Sequence, residues 1–127
     1  MSDAKKRVIR RGPLIDLTGL QDALTAAEFD LDDIWVATDR CELDLENNRW
    51  EYSDVVHMLR CLQANDYKNS EWCQIKRGSV VSCDVYRMRY DDSRRVRSTS
   101  GLEIYLKFSL SAAGVLSLVL VSCHPSR

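Results

Sequence analysis

The chain has 127 residues, 45% of them apolar, and a net charge of −1. That length suits one compact domain with a real core, and no apolar run approaches the ~18 residues that a membrane helix needs. Five cysteines, at 41, 61, 73, 83 and 123, form no C-x-x-C pair, and only His57 and His124 stand beside them. No metal site and no cofactor are therefore expected, and the cysteines read as core fillers in a reducing compartment.

In chain order, residues 1–13 (MSDAKKRVIRRGP) read as a flexible basic arm closed by Gly12-Pro13. The arm lacks the apolar stretch of a secretory signal, so a cytoplasmic protein with no membrane partner is expected. Residues 14–127 read as a single α+β domain. Thr18 and Gln21 make a capping-box pattern at a helix start, and Leu20, Leu24 and Ala27 follow at helical spacing. Residues 30–43 (DLDDIWVATDRCEL) read as a second short helix with acids in its first turn, and 46–52 as a connector. Residues 53–66 give the clearest helix, with Ser53 as N-cap and a stripe of Val55, Leu59 and Leu62.

The period then changes. WCQIKRG is a short strand turning at Gly78, and SVVSCDVYRMRY is a long one rich in Val and Tyr. DDSRRVRSTSG is a polar loop. From Leu102 to Leu110 the alternation is clean: Leu102, Ile104, Leu106, Phe108 and Leu110 share one face, and Glu103, Tyr105, Lys107 and Ser109 the other. After a turn at AAG, VLSLVLVSCH is apolar on both faces, as in a sheet interior. Helices first and strands joined by short loops predict helices packed on one face of a mainly antiparallel sheet.

The small net charge hides an asymmetry. Residues 1–15 carry five Lys/Arg against one acid, residues 16–56 two against twelve, and residues 57–127 eleven against six. Such a split points to a polyanion partner for the basic half, although solvated faces also look like this. The polar face of the 102–110 strand sets Tyr105 beside Lys107. The preceding strand carries Arg87 and Arg89 on one parity and Tyr86 and Tyr90 on the other. A sheet surface of Arg, Lys and Tyr can hold phosphates by charge and bases by stacking. Lys68, just past the third helix, belongs at the rim of that sheet. His57 reads as an ordinary helix residue. His124 ends the last strand before Pro125, where an imidazole of ordinary pKa ~6.5 suits proton transfer at neutral pH. No G-x-S-x-G, phosphate-binding glycine loop or H-E-x-x-H is present. Cys123 and His124 make a poor thiol–base pair, because strand neighbours point to opposite faces.

The ordered set LRCLQANDYKNSEW, CDVYRMRY, GLEIYLKFSL and VLSLVLVSCH resembles the MqsR toxins of type II toxin–antitoxin systems, over roughly residues 50–124. The resemblance implies a RelE-like fold and metal-free cleavage of mRNA with the 2′-OH of the RNA as nucleophile. It places the lysine that follows the family's helix on Lys68 and the tyrosine of its G-x-x-Y-x-K strand on Tyr105. The lysine closing its last strand falls on His124, which here would act as acid or base. Arg87, Arg89 and Lys107 would bind substrate. The sequence departs from the family at Cys83, where a glutamine precedes D-V-Y, as well as at His124. The implied partners are mRNA and a cognate antitoxin, which acidic residues 28–46 could meet. The alternative is a catalytically inactive relative that binds RNA or protein.

Overall fold

The alternation from Leu102 to Leu110 is the spine of the molecule. A computed structural model describes residues 7–27, 29–111 and 117–126. Strands β1 (Val8–Ile9), β2 (Ile34–Val36), β3 (Tyr67–Gln74), β4 (Val80–Asp91), β6 (Leu102–Ser111) and β7 (Ser117–Pro125) form one sheet in the order β1-β3-β4-β6-β7-β2. The short β5 (Val96–Arg97) pairs with the end of β4. Every pairing is antiparallel except β2 with β7, which is parallel. Helices α1 (Leu17–Thr25), α2 (Asp39–Asn48) and α3 (Tyr52–Cys61) cover one face. The architecture is thus α+β with a mainly antiparallel sheet. Among the described residues no helix is long and apolar enough to cross a membrane.

The main core follows from the two periodicities. Ile104, Leu106 and Phe108 from β6 meet Tyr86, Met88 and Tyr90 from β4 and Leu118, Leu120 and Cys123 from β7, all buried. The α3 stripe Val55, Met58 and Leu59 closes on them, with Cys123 Sγ 3.8 Å from Met58 Sδ. Each such side chain stabilises the fold by about 1.5–3 kcal/mol on full burial. One buried carboxylate ties the N-terminal segment down. Asp84 accepts hydrogen bonds from Leu14 N–H at 3.0 Å, Ile15 N–H at 2.9 Å and Ser70 Oγ–H at 2.6 Å.

A second, smaller cluster lies on the helix-free face: Ala37, Cys73, Ile75, Cys83, Val119 and Val121. Lys76 N–H donates to Ala37 O at 2.8 Å, joining the chain after β3 to the chain after β2 and sheltering this end of the face. Toward the other end stand Arg87, Tyr105 and His124.

Several expected boundaries change. The basic arm is anchored where β1 pairs with β3 and Arg7 meets Glu71 at 3.7 Å; residues 1–6 lie outside the described residues. Helix α1 has Asp16, not Thr18, at its N-cap, and Gln21 instead donates to the Leu59 and Leu62 carbonyls at the end of α3. The second short helix expected over 30–43 is instead a 3-10 turn (Leu31–Asp33), strand β2 and the start of α2. Three apolar residues, Ile34, Trp35 and Val36, are enough for a strand because β7 offers an edge to pair with. Helix α2 runs on to Asn48, into the start of the expected connector, and Arg49 ends it in the left-handed region at φ 56°. Helix α3 starts from Glu51 rather than Ser53 and stops at Cys61. β3 begins at Tyr67, so Lys68 lies within a strand. The expected turn at AAG (112–114) lies outside the described residues.

Candidate active site

Register decides what meets on the helix-free face. Arg87 on β4 pairs with Tyr105 on β6, and Tyr105 with His124 on β7, so the three form one cross-strand row. The Tyr105 and His124 rings stack with centroids 5.0 Å apart and planes 15° apart. The Arg87 guanidinium lies 5.5 Å from the centre of the Tyr105 ring and Lys107 Nζ 5.7 Å from it.

Two irregularities put the outer members of the site in place. On β7, Ser122 pairs with Lys107 and Leu120 with Phe108, so Val121 is an extra residue. Without that bulge His124 would share the parity of Leu118 and Leu120, whose side chains fill the main core. The bulge reverses the parity, and His124 arrives beside Tyr105. On β3, Tyr67 pairs with Tyr86 and Asn69 with Val85, so Lys68 is the extra residue. Bulges commonly re-aim a side chain beside an active site. The bulged Val121 carbonyl accepts from Thr38 Oγ1 at 2.9 Å, and the same hydroxyl accepts from Cys41 N–H at 3.1 Å as N-cap of α2. Thr38 thereby locks the bulge to a helix end.

His124 Nδ1 lies 2.7 Å from the Pro125 carbonyl oxygen. A carbonyl only accepts, so Nδ1 carries the proton and Nε2 of the neutral ring keeps the lone pair. The imidazole is thus prepared to take a proton through Nε2.

A cavity of about 540 Å³ adjoins the row, lined by Lys68, Arg87, Arg89 and Arg97 together with Asp66, Glu103, Ser98 and Thr99. Arg87 belongs to both the cavity and the row, whereas Tyr105 and His124 stand beside the cavity rather than in it. Lys68 and Arg87 have no carboxylate partner among the described residues, and Arg89 donates only to Gly101 O, at 3.0 Å. Lys107 differs. It pairs with Glu71 at 3.0 Å, and the two side chains are only 12% and 14% exposed. Burial works against the Lys107 charge, but Cys73, Glu71 and Tyr105 outweigh it and raise its pKa above the ordinary lysine value. Its charge is committed to Glu71 and Tyr105.

Cys83 lies four residues along β4 from Arg87, in the smaller cluster. The neighbouring Cys73 thiol and full burial both push the Cys83 pKa up. It stays a neutral thiol. His57 is half-buried on α3, behind the opposite face of the sheet. Among the described residues no three His, Cys, Asp or Glu side chains come together as metal ligands.

Sequence reasoning missed Arg97, Asp66 and Thr38. Arg97 sits in a stretch that reads as a polar loop, and only the pairing of β5 with β4 turns it toward the cavity. The local capping bonds of Asp66 and Thr38 do not mark their roles here, which rest on partners 31 and 83 residues away. No family model matches the chain, and no curated protein and no solved structure matches it.

Proposed function

We propose that this protein is an endoribonuclease of the MqsR type with a RelE-like arrangement: a toxin that cleaves mRNA in the cytoplasm through the RNA's own 2′-OH and is held in check by a cognate antitoxin. The observation that carries the reading is the Arg87–Tyr105–His124 row beside a cavity where Lys68, Arg87 and Arg89 have no carboxylate partner among the described residues, with Lys68 and His124 each delivered by a bulge.

In this reading the scissile phosphate lies over the row. His124 Nε2 takes the proton of the 2′-OH, and the oxygen attacks phosphorus. Arg87 and Lys68 offset the charge that builds on the phosphorane, where fixed cations act most strongly. The bond to the 5′-oxygen breaks as Tyr105 gives that oxygen its proton. Transfer from the His124 imidazolium back to the stacked Tyr105 resets the pair. The products are a 2′,3′-cyclic phosphate and a 5′-hydroxyl, and no other reactant is consumed. Lys107 acts on the Tyr105 ring rather than on phosphate, because Glu71 already holds it.

Tyr105→Phe keeps the stack and removes the phenolic proton. A loss of about 10²-fold or more in RNA cleavage is expected, in line with removal of a general acid. Full activity in Tyr105→Phe would remove Tyr105 from the chemistry. A second reading, a binding module without catalysis, is favoured by one feature: a buried thiol at Cys83 stands where the family carries a hydrogen-bonding amide. That reading predicts RNA binding with no cleavage by the unaltered protein.

A further inference from the structure

We infer that the cavity framed by Lys68, Arg89 and Arg97 is a second phosphate seat, taking the RNA backbone phosphate adjacent to the one over the Arg87–Tyr105–His124 row. The inference rests on the RNA reading of that row and deepens it. Four cations and two carboxylates line the cavity, for a formal charge of +2. One carboxylate, Asp66, is already engaged. Arg97 grips both of its oxygens through Nη1 and Nη2, and Nη1 also donates to Cys61 O at 3.1 Å. Asp66 in turn accepts Gln63 N–H at 2.7 Å, which ties it to the turn after α3.

This grip orients Arg97 without exhausting it. A guanidinium has five N–H donors. Two on Nη1 and one on Nη2 are used, so the Nε–H and the second Nη2–H have no partner among the described residues. That side edge is the fork that meets a phosphate with two parallel hydrogen bonds. Ser98 and Thr99 add hydroxyls to the same wall. Arg97 is also held on a built scaffold. Arg95 pairs with Asp54 on α3 at 3.0 Å, Trp50 Nε1 donates to Asp92 at 3.2 Å, and Ser98 N–H donates to Arg89 O at 3.2 Å, so the 92–101 segment is clamped to α3 and β4.

Spacing fits the second phosphate. Arg87 belongs to the row and to the cavity, and Arg89 follows two residues along β4, a rise of roughly 6.6 Å. Successive phosphates of an extended single strand are separated by a similar step. A strand crossing the row would therefore set one phosphate by Arg87 and the next against Arg89 and Arg97.

The test is fluorescence anisotropy of a 2′-O-methyl RNA 12-mer, which binds without being cleaved, titrated with intact protein and with Arg97→Gln across a salt series. Each single-strand phosphate contact contributes about 0.7 to the slope of log K against log salt. Arg97→Gln is expected to weaken binding several-fold and to lower the slope by about that amount. An unchanged slope and affinity would overturn the seat while leaving cleavage at the row intact. Should Arg97→Gln fold poorly, amide NMR of the unaltered protein titrated with inorganic phosphate supplies the second reading, with shifts expected at Lys68, Ser98 and Thr99. No shifts there would overturn the seat. Phosphate shifts in a protein that binds no RNA 12-mer would leave an anion seat and overturn its assignment to RNA.

Discussion

Thr38 offers the sharpest way to perturb the site from outside it. Its hydroxyl donates to the bulged Val121 carbonyl and accepts from Cys41 N–H. Thr38→Val keeps the shape and removes both bonds. Loss of an N-cap side chain costs about 1 kcal/mol, and a half-buried carbonyl left without its donor costs about 1–3 kcal/mol. A total of about 2–4 kcal/mol is expected in urea unfolding at neutral pH, a sizeable share of the roughly 5–15 kcal/mol that holds a domain together. Thr38→Ser keeps the oxygen and should recover most of the loss. The functional consequence is separate. The bulge sets the face on which His124 emerges, so Thr38→Val should also shift the His124 imidazole NMR signals, whereas Thr38→Ser leaves them in place. If Thr38→Val loses under 0.5 kcal/mol, or if Thr38→Ser and Thr38→Val behave alike, Thr38 does not hold the bulge.

Other perturbations test the rest of the account. Glu71→Gln strips the Lys107 ammonium of its partner at 3.0 Å and should cost about 2–3 kcal/mol in the same unfolding assay, because a mostly buried cation is left uncompensated. The Lys107 pKa is raised in the fold, so this stabilisation is present below the lysine pKa of the unfolded chain and fades as pH rises through the folded value. The deficit of Glu71→Gln should therefore shrink above about pH 10.4, and a deficit that grows there would refute the assignment. Asp84→Ala orphans the Leu14 and Ile15 N–H donors and takes from Ser70 its 2.6 Å acceptor; a loss of about 3–5 kcal/mol is expected, and one below 1 kcal/mol would contradict it. Tyr90 OH is buried with no partner among the described residues, so Tyr90→Phe should be neutral or stabilising by thermal melting, and clear destabilisation would point to an unseen bond. Burial raises the phenols of Tyr86 and Tyr90 to about 12, followed in the Tyr86 case by the Asp84 charge and in the Tyr90 case by that of Cys61. The unfolded chain loses those protons from about pH 10 upward. Stability should fall between these values, and absorbance titration at 295 nm should show two tyrosines ionising late.

The strongest periodicities were legible. The alternation in β6 and the stripe in α3 pointed to the core faces, because burial on one side imposes a two-residue or a 3.6-residue period. β2 escaped because three apolar residues between acids carry too little period to distinguish a strand from a helix turn, and its stability comes from pairing with β7. The candidate site was legible by residue type and not by position. Alternation counted from Leu118 and Leu120 would bury His124 in the main core, and a bulge follows from register, which a single strand does not encode. Lys68 reads as lying past a helix for the same reason. Arg97 and Asp66 meet only through the hairpin of β4 and β5, so their pairing has no local trace.

The central claim is that His124, held in its tautomer by the Pro125 carbonyl and placed by the Val121 bulge, is the base of an RNA-cleaving site. The most direct measurement is cleavage of a long mRNA by the purified protein in the presence of EDTA, beside His124→Ala of unchanged melting temperature. Fragments ending in 2′,3′-cyclic phosphate, made about 10²–10⁴-fold more slowly by the variant, are predicted. Equal cleavage by both proteins, or no fragments from a folded protein free of any partner, would contradict it.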